Sequence, residues 1–137
     1  MEGVDILLVE DSPDDAALSL RALKRANLAN RVHHVEDGVE ALAWLRVNER
    51  PKVVLLDLKL PRLSGLEVLA EVRRDAVLAD IPIVILTSSR EEPDVARAYQ
   101  LGVNSYIVKP VDLDQFMAAV AQAGLYWLVV NETPPRH

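Results

Sequence analysis

Short runs of consecutive aliphatic residues alternate along this chain with longer stretches whose apolar residues fall at helical spacing. Ile6-Leu7-Leu8-Val9, Val53-Val54-Leu55-Leu56 and Ile83-Val84-Ile85-Leu86 contain no polar alternation, which predicts strands buried on both faces. Ser105-Tyr106-Ile107-Val108 reads as a further strand, and Arg31 to Val35 as one more. His33 and His34 interrupt that last run, which predicts a weakly buried edge strand. Between the runs, Ser12-Pro13-Asp14-Asp15 opens a helix that carries Leu18, Leu20, Ala22 and Leu23 and ends near Ala26-Asn27. Ser12 suits the cap, Pro13 the first turn, and the two acids the positive end of the helix dipole. A second helix follows Asp37-Gly38 through Val39, Leu42, Ala43 and Leu45 and stops before Pro51. A third, opened by Ser64-Gly65, carries Leu66, Val68, Leu69 and Val72 to about Arg74. A fourth spans Asp94 to Leu101 and is stopped by Gly102. A fifth has an apolar stripe of Leu113, Phe116, Met117 and Val120, with Asp112 and Gln115 as a capping-box pair.

Five β/α units with short connections predict an α/β fold, a doubly wound parallel sheet in the flavodoxin-like order 2-1-3-4-5. They are too few for an eightfold barrel. Composition narrows this to one domain: the 137 residues are 50% hydrophobic, with no repeat and no low-complexity linker. Aromatic residues make up only 4%, so the core must be aliphatic, and the absence of cysteine excludes disulfides and thiolate metal sites. A net charge of −6 without a basic cluster disfavours nucleic acid as a partner. No signal core or membrane-length apolar run is present, so the expected location is cytoplasmic, away from any membrane.

Chemistry enters where the strands end. On the carboxyl side these ends are Glu10 and Asp11, then Asp57, Thr87 and Lys109. Open α/β sheets place their sites in that crevice. Asp57 taken alone could be a turn cap, Thr87 a strand end, Lys109 a solvated charge and Tyr106 fixed core. Together, three convergent carboxylates repel one another and call for a cation. An all-oxygen set selects a hard ion, Mg²⁺ before Zn²⁺. Thr87 and Lys109 then supply a hydrogen bond and a positive charge for phosphoryl oxygens, and Asp57 stands as the nucleophile. His33 and His34 have no third partner at metal-ligand spacing.

These residues resemble the receiver domain of two-component response regulators. The likeness runs from about Ile6 to Phe116. It rests on Leu8-Val9-Glu10-Asp11, Leu56-Asp57-Leu58-Lys59-Leu60-Pro61 with Gly65, Leu86-Thr87-Ser88, and Tyr106-Ile107-Val108-Lys109-Pro110. The resemblance implies Asp57 as phosphoacceptor, taking its phosphoryl group from a sensor histidine kinase. It implies Mg²⁺ bound by Asp11, Asp57 and the backbone carbonyl of Lys59, with Glu10 reaching the ion through water. It further implies Thr87 as the switch hydroxyl, Tyr106 as the aromatic switch, Lys109 as the phosphate-binding lysine and a cis Lys109-Pro110 bond. Such a domain is a signalling phosphoacceptor rather than an enzyme, beyond slow loss of its own phosphate. Its output would pass through the surface of the fourth helix, fifth strand and fifth helix to a partner protein.

The stretch from about Gly124 to His137 extends past a minimal receiver. With the Leu-Pro after Asp57, it resembles stand-alone regulators paired with phytochrome histidine kinases. Leu125 to Val130 is apolar at six successive positions and carries Tyr126 and Trp127, which predicts a homodimer contact. Folding back over the chain's own core is the competing expectation. Three other classes are disfavoured or left open by the same residues. An aspartyl-phosphate phosphatase would want an acid where Lys59 stands. A nucleotide or flavin binder would want Gly or hydroxyl donors in the acidic first loop. A receiver-shaped scaffold that is never phosphorylated need not keep the whole set.

Overall fold

The computed structural model describes residues 4–25, 31–89 and 91–122. Among them the chain alternates strand and helix throughout: β1 (Ile6–Val9), α1 (Pro13–Arg25), β2 (Val32–Val35), α2 (Gly38–Val47), β3 (Val53–Asp57), α3 (Gly65–Arg74), β4 (Ile83–Thr87), α4 (Pro93–Gln100), β5 (Ser105–Val108) and α5 (Leu113–Gln122). The strands form one parallel sheet in the order β2-β1-β3-β4-β5, as the pattern predicts. Register is set by pairs such as Ile6 with Val53, Val54 with Ile83 and Val84 with Ser105. Because side chains alternate across a strand, each central strand feeds two cores. Leu7, Val9, Val54, Leu56, Ile83 and Ile85 face one core with Leu42, Leu45, Val68, Leu69, Val72 and Ala98. Ile6, Leu8, Val53, Leu55, Val84 and Leu86 face the other with Ala16, Leu23 and Phe116. Covering helices on both faces leave no exposed sheet surface in the centre, which is why those strands show no polar alternation.

The edges differ. β2 is only partly buried over its first three residues, as its two histidines imply; His33 stacks on Trp44 with centroids 5.1 Å apart. Ser64 and Glu67 form a reciprocal capping box at α3, and Asp37 caps α2 through the Glu40 N–H. α4 ends as expected at Gly102, whose φ of 86° lets the chain turn out of the helix. α5 departs from expectation twice. Met117 is 44% exposed, and Ala119 is buried beside Phe116 instead. Residue 117 follows Phe116 by about 100° of helical rotation, which carries it off the core face. Asp112 does cap the Gln115 N–H, and Gln115 Nε2 donates back to Asp112 Oδ2, but Gln115 Oε1 accepts from the Val108 N–H at the end of β5 rather than from the Asp112 N–H of a full capping box. The end of α1 expected near Ala26-Asn27, the side chain of Val120 and the segment from Leu125 to Val130 lie outside the described residues. Among the described residues, no helix is long and apolar enough to cross a membrane.

Candidate functional site

Strands β1 and β3 are adjacent and end together, which brings Glu10 and Asp11 beside Asp57. One oxygen from each of these three carboxylates lies within 4.8 Å of the others. Glu10 is fully buried and Asp57 is 5% exposed, whereas Asp11 faces solvent. Asp57 is held at both oxygens: Oδ1 accepts from the Lys59 N–H at 3.2 Å, and Oδ2 meets Lys109 Nζ at 3.0 Å. The backbone beyond it is fixed by a close approach. A Cβ on Gly65 would stand 2.2 Å from the Asp57 carbonyl oxygen, so α3 can start directly under the acceptor loop only with glycine there.

Lys109 reaches into the crevice from the end of β5, where the Lys109–Pro110 peptide is cis. Its Nζ lies 2.8 Å from Glu10 Oε1, 3.0 Å from Asp57 Oδ2 and 3.1 Å from Asp15 Oδ2. The Glu10 contact is an ion pair outside hydrogen-bond alignment, which leaves Oε1 a buried oxygen with no aligned donor. Glu10 Oε2 accepts from the Ser12 N–H. Burial, then the neighbouring Asp57 carboxylate, push the Glu10 carboxyl up to about 7, with Lys109 pulling the other way. Burial disfavours the Lys109 ammonium, but Glu10 and Asp57 outweigh it and hold its pKa above the ordinary lysine value.

Thr87 and Ser88 line the same cavity, whose volume is about 220 Å³. The Thr87 hydroxyl is engaged by the following loop: it donates to the Ser89 carbonyl at 3.0 Å and accepts from the Ser89 N–H. Tyr106 stands outside the cavity, half-buried against the core, with its ring edge-on to Tyr99 at 6.2 Å. The Lys59 side chain points across the mouth to Glu92, 3.4 Å away. The fold therefore gathers Glu10, Asp11, Asp57, Thr87 and Lys109 and leaves Tyr106 one layer behind. Sequence reasoning misses three contributors. Asp15 is accounted for by the helix dipole alone, Glu92 precedes Pro93 without a motif, and His34 Nε2 lies 2.7 Å from the Glu10 carbonyl oxygen. Only the pairing of β1 with β2 brings that histidine within reach of Glu10, so no local signal could have marked it.

The donor set fits a hard divalent cation. Three oxygens converge, one belongs to a buried carboxylate with an unaligned oxygen, and burial, then the neighbouring Asp57 carboxylate, disfavours the charged form of Glu10 until a cation is present. Asp11, Asp57 and Glu10 are the residues that would hold or surround it.

Comparison with known proteins gives a consistent family. The profile of the response regulator receiver domain matches residues 6–121. Response regulator Rcp1 of Synechocystis sp. is 39% identical over 135 residues, covering 94% of this chain and 92% of that protein. The Mn²⁺-bound crystal structure of Rcp1 superposes with a TM-score of 0.74 at 38% identity, covering 96% of this chain and 98% of that one. The bacteriophytochrome response regulator RtBRR gives 0.84 at 51% identity, covering 98% and 86%. The phosphorylated cyanobacterial phytochrome response regulator RcpA gives 0.75 at 37%, covering 98% and 100%.

Proposed function

The chain belongs to the response regulator receiver domain family, and on that premise we propose that Asp57 is its phosphoacceptor, served by a sensor histidine kinase of the phytochrome type. The observation that carries this is the Asp57 carboxylate, nearly buried at the end of β3, bonded to Lys109 at 3.0 Å and set among Glu10 and Asp11. A carboxylate oxygen of Asp57 attacks the phosphorus of a phosphohistidine. A P–O bond forms and the P–N bond breaks, its electron pair staying on the imidazole nitrogen. Lys109 supplies positive charge to the transferring phosphoryl oxygens, and the Lys59 N–H holds the other Asp57 oxygen in place. Asp11, Asp57 and the Lys59 carbonyl would hold Mg²⁺ there with support from Glu10, and the ion would supply charge neutralisation for the phosphoryl oxygens. The Mn²⁺ in Rcp1 and the phosphoryl group in RcpA support this reading by likeness.

Thr87 is the switch hydroxyl in this proposal. Its bonds to Ser89 are local and exchangeable for a phosphoryl oxygen, and Tyr106 responds behind it on the face shared by α4, β5 and α5. A downstream protein reads that face. The chain is one receiver with an extension from about residue 124 to 137, and a second copy binds its C-terminal side through Leu125 to Val130.

The acceptor is tested by incubating the protein with a small acyl phosphate and Mg²⁺ and weighing it intact. One phosphate adduct is expected, and Asp57→Asn should abolish it; an undiminished adduct rejects the assignment. Light scattering on the full chain and on a version truncated after Gly124 tests the dimer. A full chain that stays monomeric at high micromolar concentration, with and without phosphate, rejects it.

A further inference from the structure

The Lys109 ammonium is surrounded by three carboxylates within 3.1 Å: Glu10, Asp57 and Asp15. Two of its three N–H donors go to Asp57 and Asp15, while Glu10 Oε1 stands at 2.8 Å without hydrogen-bond alignment, so an incoming phosphoryl oxygen competes with these carboxylates for the same ammonium. The three are not equivalent. Glu10 is wholly enclosed, and Asp57 carries the incoming group itself. Asp15 lies on the first turn of α1, with its side chain 35% exposed and outside the trio of converging oxygens. Of the three it is the one that solvent can take over on release.

We propose that Asp15 is a positioning residue that holds Lys109 before phosphorylation and competes with the phosphoryl group for it. This rests on the phosphoacceptor reading of Asp57 and adds a regulator to it. Asp15 keeps the Lys109 side chain extended into the crevice before the donor arrives. It also competes with the donor's oxygens for the same ammonium, so it raises the donor level needed for half-maximal transfer and weakens the hold on phosphate afterwards. Removing a helix-dipole acid would have neither effect. The neighbouring Asp14 gives the built-in control: it sits on the same first turn, carries the same charge and is exposed to solvent.

The test is acetyl phosphate with saturating Mg²⁺, following the phosphate adduct by intact mass on wild type, Asp15→Asn, Asp14→Asn and Asp57→Asn. Asp15→Asn should lower the half-maximal acetyl phosphate concentration roughly three- to tenfold, the scale of one partly exposed ion pair with a charge-assisted hydrogen bond. The maximal rate should change little, and the phosphate should persist longer after donor removal. Asp14→Asn should differ from wild type by less than about twofold, as an exposed charge with no partner among the described residues would. The idea is overturned if Asp15→Asn leaves the half-maximal concentration unchanged or raises it, or if Asp14→Asn lowers it equally, which would make the effect a general field. No adduct on wild type, or an adduct on Asp57→Asn, rejects the phosphoacceptor reading instead.

Discussion

Across the crevice, the flank built from β1, β3 and the Lys109 side chain is held by charge, while the flank at the end of β4 is held by its own backbone. Glu10, Asp15 and Asp57 converge on one ammonium, two of them with little or no exposure to water. The Thr87 hydroxyl, just as buried, is bonded among the described residues to Ser89 two residues on. Like charges in a low-dielectric site interact strongly, and each responds to the next. A neutral hydroxyl bonded to a neighbouring peptide contributes about 1 kcal/mol and can exchange partners at small cost. In the proposed function, the charged flank holds the reacting groups in place, and the local flank registers that the reaction has happened.

The largest effect should come from removing the charge balance on the first flank. Chelation by EDTA, or Asp11→Asn, should slow acyl phosphate uptake by roughly a hundredfold or more, at least what losing a supporting metal partner costs. Mg²⁺ at ten times its Kd should raise stability by about 1.4 kcal/mol, a melting shift of roughly 3–5 °C, and Asp11→Asn should lose that shift. Full uptake in chelator with unchanged melting would dissolve the distinction between the flanks.

An intermediate effect should follow from disturbing the support beneath the charged flank. Gly65→Ala forces a Cβ against backbone at 2.2 Å, where no flexible side chain can give way. It should cost roughly 2–3 kcal/mol in chemical denaturation and slow phosphate uptake by moving Asp57. A variant as stable and as active as wild type would show that α3 does not set the acceptor's position.

The smallest effect on uptake should come from the other flank. Thr87→Ala should change the rate of adduct formation by less than roughly fivefold, since it removes a hydroxyl whose hydrogen bonds go to Ser89 in this state. Phosphorylation-dependent capture of a partner should nevertheless be lost. Partner binding that still follows phosphate in Thr87→Ala would move the switch elsewhere.

The sequence alone determines the five units, the burial of the three central strands and the residues that end them. Those features follow from local periodicity and from where apolar runs stop, and both are properties of neighbouring residues. Even the weak burial of β2 is legible, because two histidines break its run. Met117 and Gln115 show where that reasoning loses resolution. One helical step separates a buried position from an exposed one, and a capping side chain takes whichever donor the fold brings closest.

Tertiary structure alone decides the charge network. Asp15 and Lys109 are 94 residues apart, and Lys109 and Asp57 are 52 apart. Periodicity carries no information on which helix face will look into the crevice at that depth. Asp15 therefore reads as a dipole acid until α1 packs over the sheet and sets its carboxylate 3.1 Å from the ammonium. The same holds for the Thr87 hydroxyl. Its identity is visible in the chain, but its engagement with Ser89 rather than Asp57 depends on the conformation of the loop after β4. Residue type and strand order specify which groups meet; packing specifies which of them are already occupied when they do.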